Sequence, residues 1–274
     1  MSGKAGPTAP YGDNEGHGNA VIEGVTTALS WLTVLPFRGA KVFDRTTGSR
    51  AIAALPIAGL VPGAAAALWI WLFREFFADH SAATLYALVF GALTVVSTEA
   101  LTRAMHVDGL ADVVDALGSY KPPKEAQKVL RDPTTGPMGV LAVALYVLVT
   151  ALAFATVCLT TLSPVAAALP FVVARLVAST ACTKKFPPIS ETGFGGLVAA
   201  TQHIGWIVCW WVALAGASFF IASFAGLLAV GIGAAVAALL IPHFSRRLGG
   251  INGDVLGALI QITTPVAALA LLFS

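Results

Sequence analysis

Apolar stretches of about twenty residues alternate with short polar ones along nearly the whole chain, the length a helix needs to cross a bilayer. Read this way, the pattern predicts spans near 51–73, 82–105, 138–160, 164–182, 204–221, 223–242 and 254–273, about seven in all. The turn between the fifth and sixth is the least marked, because Gly216 to Phe224 contains no charged residue. Ahead of them, 21–37 is apolar but interrupted, and Pro36 stops it, so it predicts an interfacial or re-entrant helix. Residues 1–20 are rich in Gly, Pro and polar groups, which predicts a disordered tail with no apolar core for a cleavable signal. The expected architecture is therefore all-α: a polytopic, integral membrane helical bundle forming one catalytic domain over 21–274.

Charge supplies an orientation. With these spans, one side of the membrane receives Arg38, Lys41, Arg45 and Arg50, then Lys121, Lys124, Lys128 and Arg131, then Lys184 and Lys185, then Arg246 and Arg247. The other side receives only Arg74, balanced by Glu75 and Asp79. The positive-inside rule then places every motif-bearing loop on the cytoplasmic face of the inner membrane, and shifting the span count by one in mid-chain would destroy that agreement. Composition agrees: 57% hydrophobic and 11% charged, against about 25% charged in soluble domains. The net charge of +2 and the lack of a basic, aromatic-interleaved stripe argue against nucleic acid. Cys158, Cys182 and Cys209 fall in or beside apolar runs without Cys-x-x-Cys spacing, and read as small buried hydrophobes.

Against that background Arg103 to Gly118 stands out, with a cation, a histidine and three aspartates beside a membrane boundary. Asp108, Asp112 and Asp115 lie at i, i+4 and i+7, one stripe of a helix. Carboxylates so placed repel unless they share a cation, and all-oxygen ligation suits Mg²⁺ with substrate phosphates. Glu99, Arg103 and His106 form a second stripe pointing roughly the opposite way, so either the helix breaks near Gly109 or the two stripes serve different partners. Arg131 to Gly139 is turn-rich, and the amides of Gly136 and Gly139 could cradle phosphate beside Arg131; a plain turn with a snorkelling arginine is the alternative. Arg246 to Asp254 offers Arg246, Arg247, Gly249, Gly250 and one carboxylate, either an anion site or simple anchoring at the membrane surface. Arg175, deep in its span, is expected to face the interior against a carboxylate such as Glu99. His203 and His243 lie at span edges and read as interfacial.

These residues resemble one family, the cobalamin-5′-phosphate synthases, also called adenosylcobinamide-GDP ribazoletransferases. The family's His-x-Asp-Gly-Leu-Ala-Asp-x-x-Asp core matches His106 to Asp115, its Arg-Asp-x-x-x-Gly-x-x-Gly run matches Arg131 to Gly139, and Gly-Gly-x-x-Gly-Asp-x-x-Gly-Ala matches Gly249 to Ala258. Leu32 to Pro36 and Leu55 to Leu60 fall where the family places weaker motifs. The chain departs at Pro133, where the second motif commonly carries Ser.

The resemblance implies the assembly of the lower loop of cobalamin: adenosylcobinamide-GDP and α-ribazole 5′-phosphate, or α-ribazole, are joined and GMP leaves, with Mg²⁺ required. On this reading Asp108, Asp112 and Asp115 hold the metal across the pyrophosphate. Arg131 and one of Arg246 or Arg247 stabilise phosphate oxygens, and His106 or a free aspartate takes the proton from the ribose hydroxyl. Arg103, Asp132, Gly136, Gly139, Gly249, Gly250 and Asp254 complete the substrate side. Partnership in a homo-oligomer or with other cobalamin-assembly enzymes is left open. Two rivals are a CDP-alcohol phosphotransferase, whose motif fails because Asp112 stands where alanine belongs, and a corrinoid or cation transporter.

Overall fold

The computed structural model describes residues 16–274, and helices account for nearly all of its regular structure. The first helix, α1 (Ala20–Leu32), is capped by Asn19, whose side chain accepts the amides of Val21 and Ile22. It has 13 residues, too few to cross a membrane, and ends four residues before Pro36. Residues 1–15 of the expected tail lie outside the described residues. His17 bridges Glu23 and Asp44 at 3.0 Å each, and Arg50 reaches Glu23 at 2.9 Å. These contacts lay α1 against α2 (Arg45–Ala53), itself capped by Asp44.

The first apolar crossing starts later than the hydropathy pattern suggests. Helix α2 ends at Ala53, with Ala54 as its cap just before Leu55-Pro56, and the crossing runs over α3 (Leu55–Ala58) and α4 (Leu60–Phe76). It returns as α5 (Ala83–Leu101), followed by α6 (Met105–Gly118) and the short α7 (Pro123–Val129). Next come α8 (Pro137–Cys158), with proline at its first position, and α9 (Leu169–Ala181) behind a 3₁₀ turn, Pro164–Ala168. A small α10 (Gly193–Val198), the 45-residue α11 (Ile204–Leu248) and α12 (Gly253–Ala270) complete the chain.

Six helical stretches among the described residues are long and apolar enough to cross a membrane. The longest of them, α11, is two helices in one: Ala222 and Ser223 leave helical geometry, Ser223 at φ 48° and ψ −129°. Beyond that break the chain folds back. Gly226 packs against the Ser218 carbonyl, and a methyl group on Gly233 would lie 3.4 Å from the Trp211 ring. Counting the two arms separately gives seven crossings, and every motif-bearing segment emerges on one face. The sixth crossing continues to Leu248 rather than stopping near 242, carrying Arg246 and Arg247 in its last turn before Gly249 at φ 82° closes it.

Helices α9 and α12 are mostly buried, whereas α5 and α8 turn much of their surface outward, presenting Leu and Val side chains. Two apolar clusters fill the bundle. One, with Phe73, Phe90, Phe154 and Phe171, lies in the half remote from the motifs; the other, with Val113, Val255, Leu259, Ile241 and Leu248, supports them.

Candidate active site

The site begins at the break between α5 and α6. Arg103 and Ala104 stand in left-handed geometry at φ 59° and 51°, a conformation that costs an L-residue about 1–3 kcal/mol. The helix therefore breaks here, and not near Gly109. That glycine is inside α6 for a different reason: a Cβ there would lie 2.7 Å from the Asp254 carbonyl oxygen and 2.8 Å from its Cα. Closeness at Gly109 brings the first turn of α12 onto α6, and with it Asp254. Asn252 fixes that turn, accepting the Val255 amide at 3.0 Å and donating its side-chain N–H to Asp254 at 2.7 Å.

Four carboxylates thus gather at one place, three from α6 and one from the third motif. Their mutual repulsion is visible at Asp112, whose carboxyl is pushed up to about 6 by burial first and then by Asp108, Asp254 and Asp115. No cation makes an ion pair with any of them among the described residues. Nor do three carboxylate, His or Cys side chains converge there closely enough to enclose an ion unaided. The donors on offer are carboxylate oxygens, the ligand type a hard divalent cation takes together with waters or substrate phosphates.

Asp115 stands apart from the other three. Its two oxygens accept the amides of Gly136 at 2.6 Å and Gly139 at 2.8 Å, at the start of α8. The glycine amides expected to cradle phosphate are therefore occupied by a side chain, and the spacing of the two glycines serves to dock α6 on α8. The second residue of the run, Asp132, is exposed and engaged locally: it accepts the amide and hydroxyl of Thr134 and shapes the turn.

Two cavities open beside the carboxylates. The polar one, about 460 Å³, is bordered by Arg131, Gln127, Ser190, Thr192 and Asn252. The larger, about 720 Å³, is bordered by Trp31, Phe43, Arg103, His106 and Asp108. They meet at Phe194, Gly253 and Asp254, which line both. Arg103, His106 and Asp108 thus line one cavity, Arg131 the other, and Asp254 both.

The remaining expected residues do other work. Arg246 and Arg247 border neither cavity. Gly249 and Gly250 form a left-handed turn at φ 82° and 150° that packs on Gln127 and on the 187–189 segment, so the geometry there is structural. His106 is buried at 5% exposure, with Nε2 unpartnered, and burial followed by the charge of Arg175 drives it down to about 3. Imidazole with that value is a poor base near neutrality. Arg175 does face the interior, but it makes no ion pair with Glu99. It donates to the Phe171 carbonyl at 3.3 Å and sits 5.7 Å from that ring, while Glu99 takes the Tyr146 hydroxyl and Gln261 amide at 2.5 and 2.9 Å. Sequence reading missed Trp31, Phe194 and the polar loop 187–195, whose only signal was an unexplained cluster of Pro, Ser, Thr and Gly.

Fold and site together define a polytopic helical membrane protein with a carboxylate cluster that reaches, through Asp254, two adjoining cavities on one face. The family profile described as cobalamin-5-phosphate synthase matches residues 24–272, and the chain belongs to that family. It is 40% identical to an adenosylcobinamide-GDP ribazoletransferase of Corynebacterium efficiens, across 98% of this chain and 96% of that one. A protein of the same name from Corynebacterium glutamicum is 41% identical across 81% of this chain and 72% of its own length. Another, from Acinetobacter baumannii, is 30% identical across 86% and 91%. No solved structure matches.

Proposed function

We propose that this protein is a Mg²⁺-dependent adenosylcobinamide-GDP ribazoletransferase working at the cytoplasmic face of the inner membrane. One observation carries the reading: two cavities of different chemistry converge on Asp254 beside Asp108 and Asp112, as a reaction between two substrates across a pyrophosphate requires. The names of its relatives supply the substrates.

In the reaction, a ribose hydroxyl of α-ribazole phosphate attacks the phosphorus that bears the corrinoid. A new P–O bond forms there, and the P–O bond to GMP breaks. Asp254, at the junction, receives the hydroxyl proton, and Arg131 at the rim of the polar cavity binds the phosphate oxygens of the departing nucleotide. Asp108 and Asp112 would hold Mg²⁺, which when bound neutralises charge on the pyrophosphate. His106, buried and neutral, shapes the cavity wall beneath Asp108 rather than moving a proton. The cationic loops on the site's face support its cytoplasmic placement.

The direct test is the mass of the corrinoid product when protein in liposomes is given adenosylcobinamide-GDP, α-ribazole phosphate and Mg²⁺. The expected result is one product carrying the ribazole phosphate, with GMP released, and none from Asp112→Asn. Corrinoid uptake into the vesicles without conversion would replace this reading with transport.

A further inference from the structure

The larger cavity lies between α1, α2, α6, α10 and α12, and its lining combines two chemistries. Three aromatic rings gather there from separate elements. Trp31 stacks with Phe43 at 6.2 Å between centroids and 17° between planes, and meets Phe194 edge-on at 5.4 Å. Between the rings the walls are aliphatic, including Leu55, Leu197 and Ile260. The same cavity is lined by Asp108, Asp254 and Arg103. Arg103 donates one N–H to the Trp31 carbonyl at 2.6 Å, and its guanidinium has further donors to offer. The left-handed backbone at Arg103 and Ala104 carries that side chain back toward α1, so strain is spent on placing a cation at the mouth of an apolar chamber.

We propose that this chamber is the acceptor subsite. It takes the flat base of α-ribazole against Trp31 and Phe194, sets the ribose hydroxyl beside Asp254, and binds the 5′-phosphate through Arg103. The assignment rests on the transferase reading above and adds which cavity takes which substrate. A benzimidazole base presents a hydrocarbon edge and a single free ring nitrogen, so aromatic and aliphatic walls suit it. Guanine presents several N–H donors and acceptors along its edge, and leaving them without partners in such walls is unfavourable. The guanosine end belongs instead in the polar cavity, with Gln127, Ser190, Thr192 and Asn252. A corrin ring fringed with amide side chains is too broad and too polar for the chamber, whose size is that of a compact ligand.

The test is steady-state kinetics in liposomes, varying each substrate with the other saturating, on the natural protein, Trp31→Leu, Trp31→Phe and the cavity-filling Leu197→Trp. For Trp31→Leu the KM for α-ribazole phosphate should rise about tenfold, the scale of one large aromatic contact. Leu197→Trp should raise it further, Trp31→Phe much less. The KM for adenosylcobinamide-GDP should move less than twofold in all three, which also shows that the variants are folded. If the natural protein gives no product, the transferase reading fails. If it turns over and the variants raise the corrinoid substrate's KM instead, or leave both unchanged, only the subsite assignment falls. Loss of co-purified lipid from Trp31→Leu with both KM values unchanged would give the chamber to an acyl chain and overturn it too.

Discussion

Two aspartates of the same helical stripe have opposite relations to stability. Asp112 has a folded value of about 6 against an ordinary 3.8, so its ionised form opposes folding. The sign follows directly: the penalty is absent below about pH 4, grows as pH rises through the folded value, and is complete at neutrality. A shift of that size corresponds to about 3 kcal/mol, which solvent screening at a half-buried group reduces to roughly 1 kcal/mol. Without Mg²⁺, Asp112→Asn should therefore unfold about 2–4 °C higher in a thermal scan at pH 7 while abolishing turnover. Activity of the natural protein should fall on acidification as protons compete with Mg²⁺ for this ligand, and more Mg²⁺ should move the limb to lower pH. His106→Ala should leave that acid limb where it is, because the imidazole is already neutral; a displaced limb would restore it as a base. Asp115 does the reverse of Asp112. Its carboxylate holds two α8 amides, and Asp115→Ala should lower stability by about 1.5–3 kcal/mol with little change in apparent Mg²⁺ affinity. The i, i+4, i+7 spacing identified all three carboxylates, but only packing could separate them, since nothing in the spacing says where the start of α8 lies.

Among elements, glycine is where sequence reasoning was most misleading. Gly109 looked like a point of breakage because glycine weakens helices, yet its value is close approach: α6 and α12 meet there with no room for a methyl group. The actual break falls on Arg103 and Ala104, two residues with no propensity to advertise it. Gly109→Ala should push α12 away and cut activity by more than tenfold with a smaller loss of stability, read as kcat against thermal midpoint. The hairpin in α11 offers the opposite experiment. Ser223 adopts a geometry suited to glycine, so Ser223→Gly should stabilise the protein by roughly 0.5–1 kcal/mol, measured by detergent or thermal unfolding. The break between the fifth and sixth crossings was legible in length and hydropathy, since 45 residues of helix greatly exceed a bilayer. Its position was legible only to within a few residues, because no polar loop marks it.

At the scale of the whole molecule, the apolar pattern and the distribution of Lys and Arg predicted the bundle and its one-sided display of motifs, since both follow from the bilayer as solvent. The two cavities were not predictable, because Phe194 is far along the chain from Trp31 and Phe43, and none of the three stands out among 25 aromatic residues. The lone cation on the opposite side also finds its explanation: Arg74 donates to the carbonyls of Val157, Cys158 and Leu162, closing the end of α8. It remains there as a cap, so the charge asymmetry holds for every residue not required by packing. The tip of the α11 hairpin carries the same economy further. Phe219, Phe220 and Phe224 stand exposed around the turn, and from Ile204 to His243 neither arm carries a carboxylate, lysine or arginine. The two arms therefore offer the bilayer one continuous apolar hairpin, and no charged side chain has to cross with its turn.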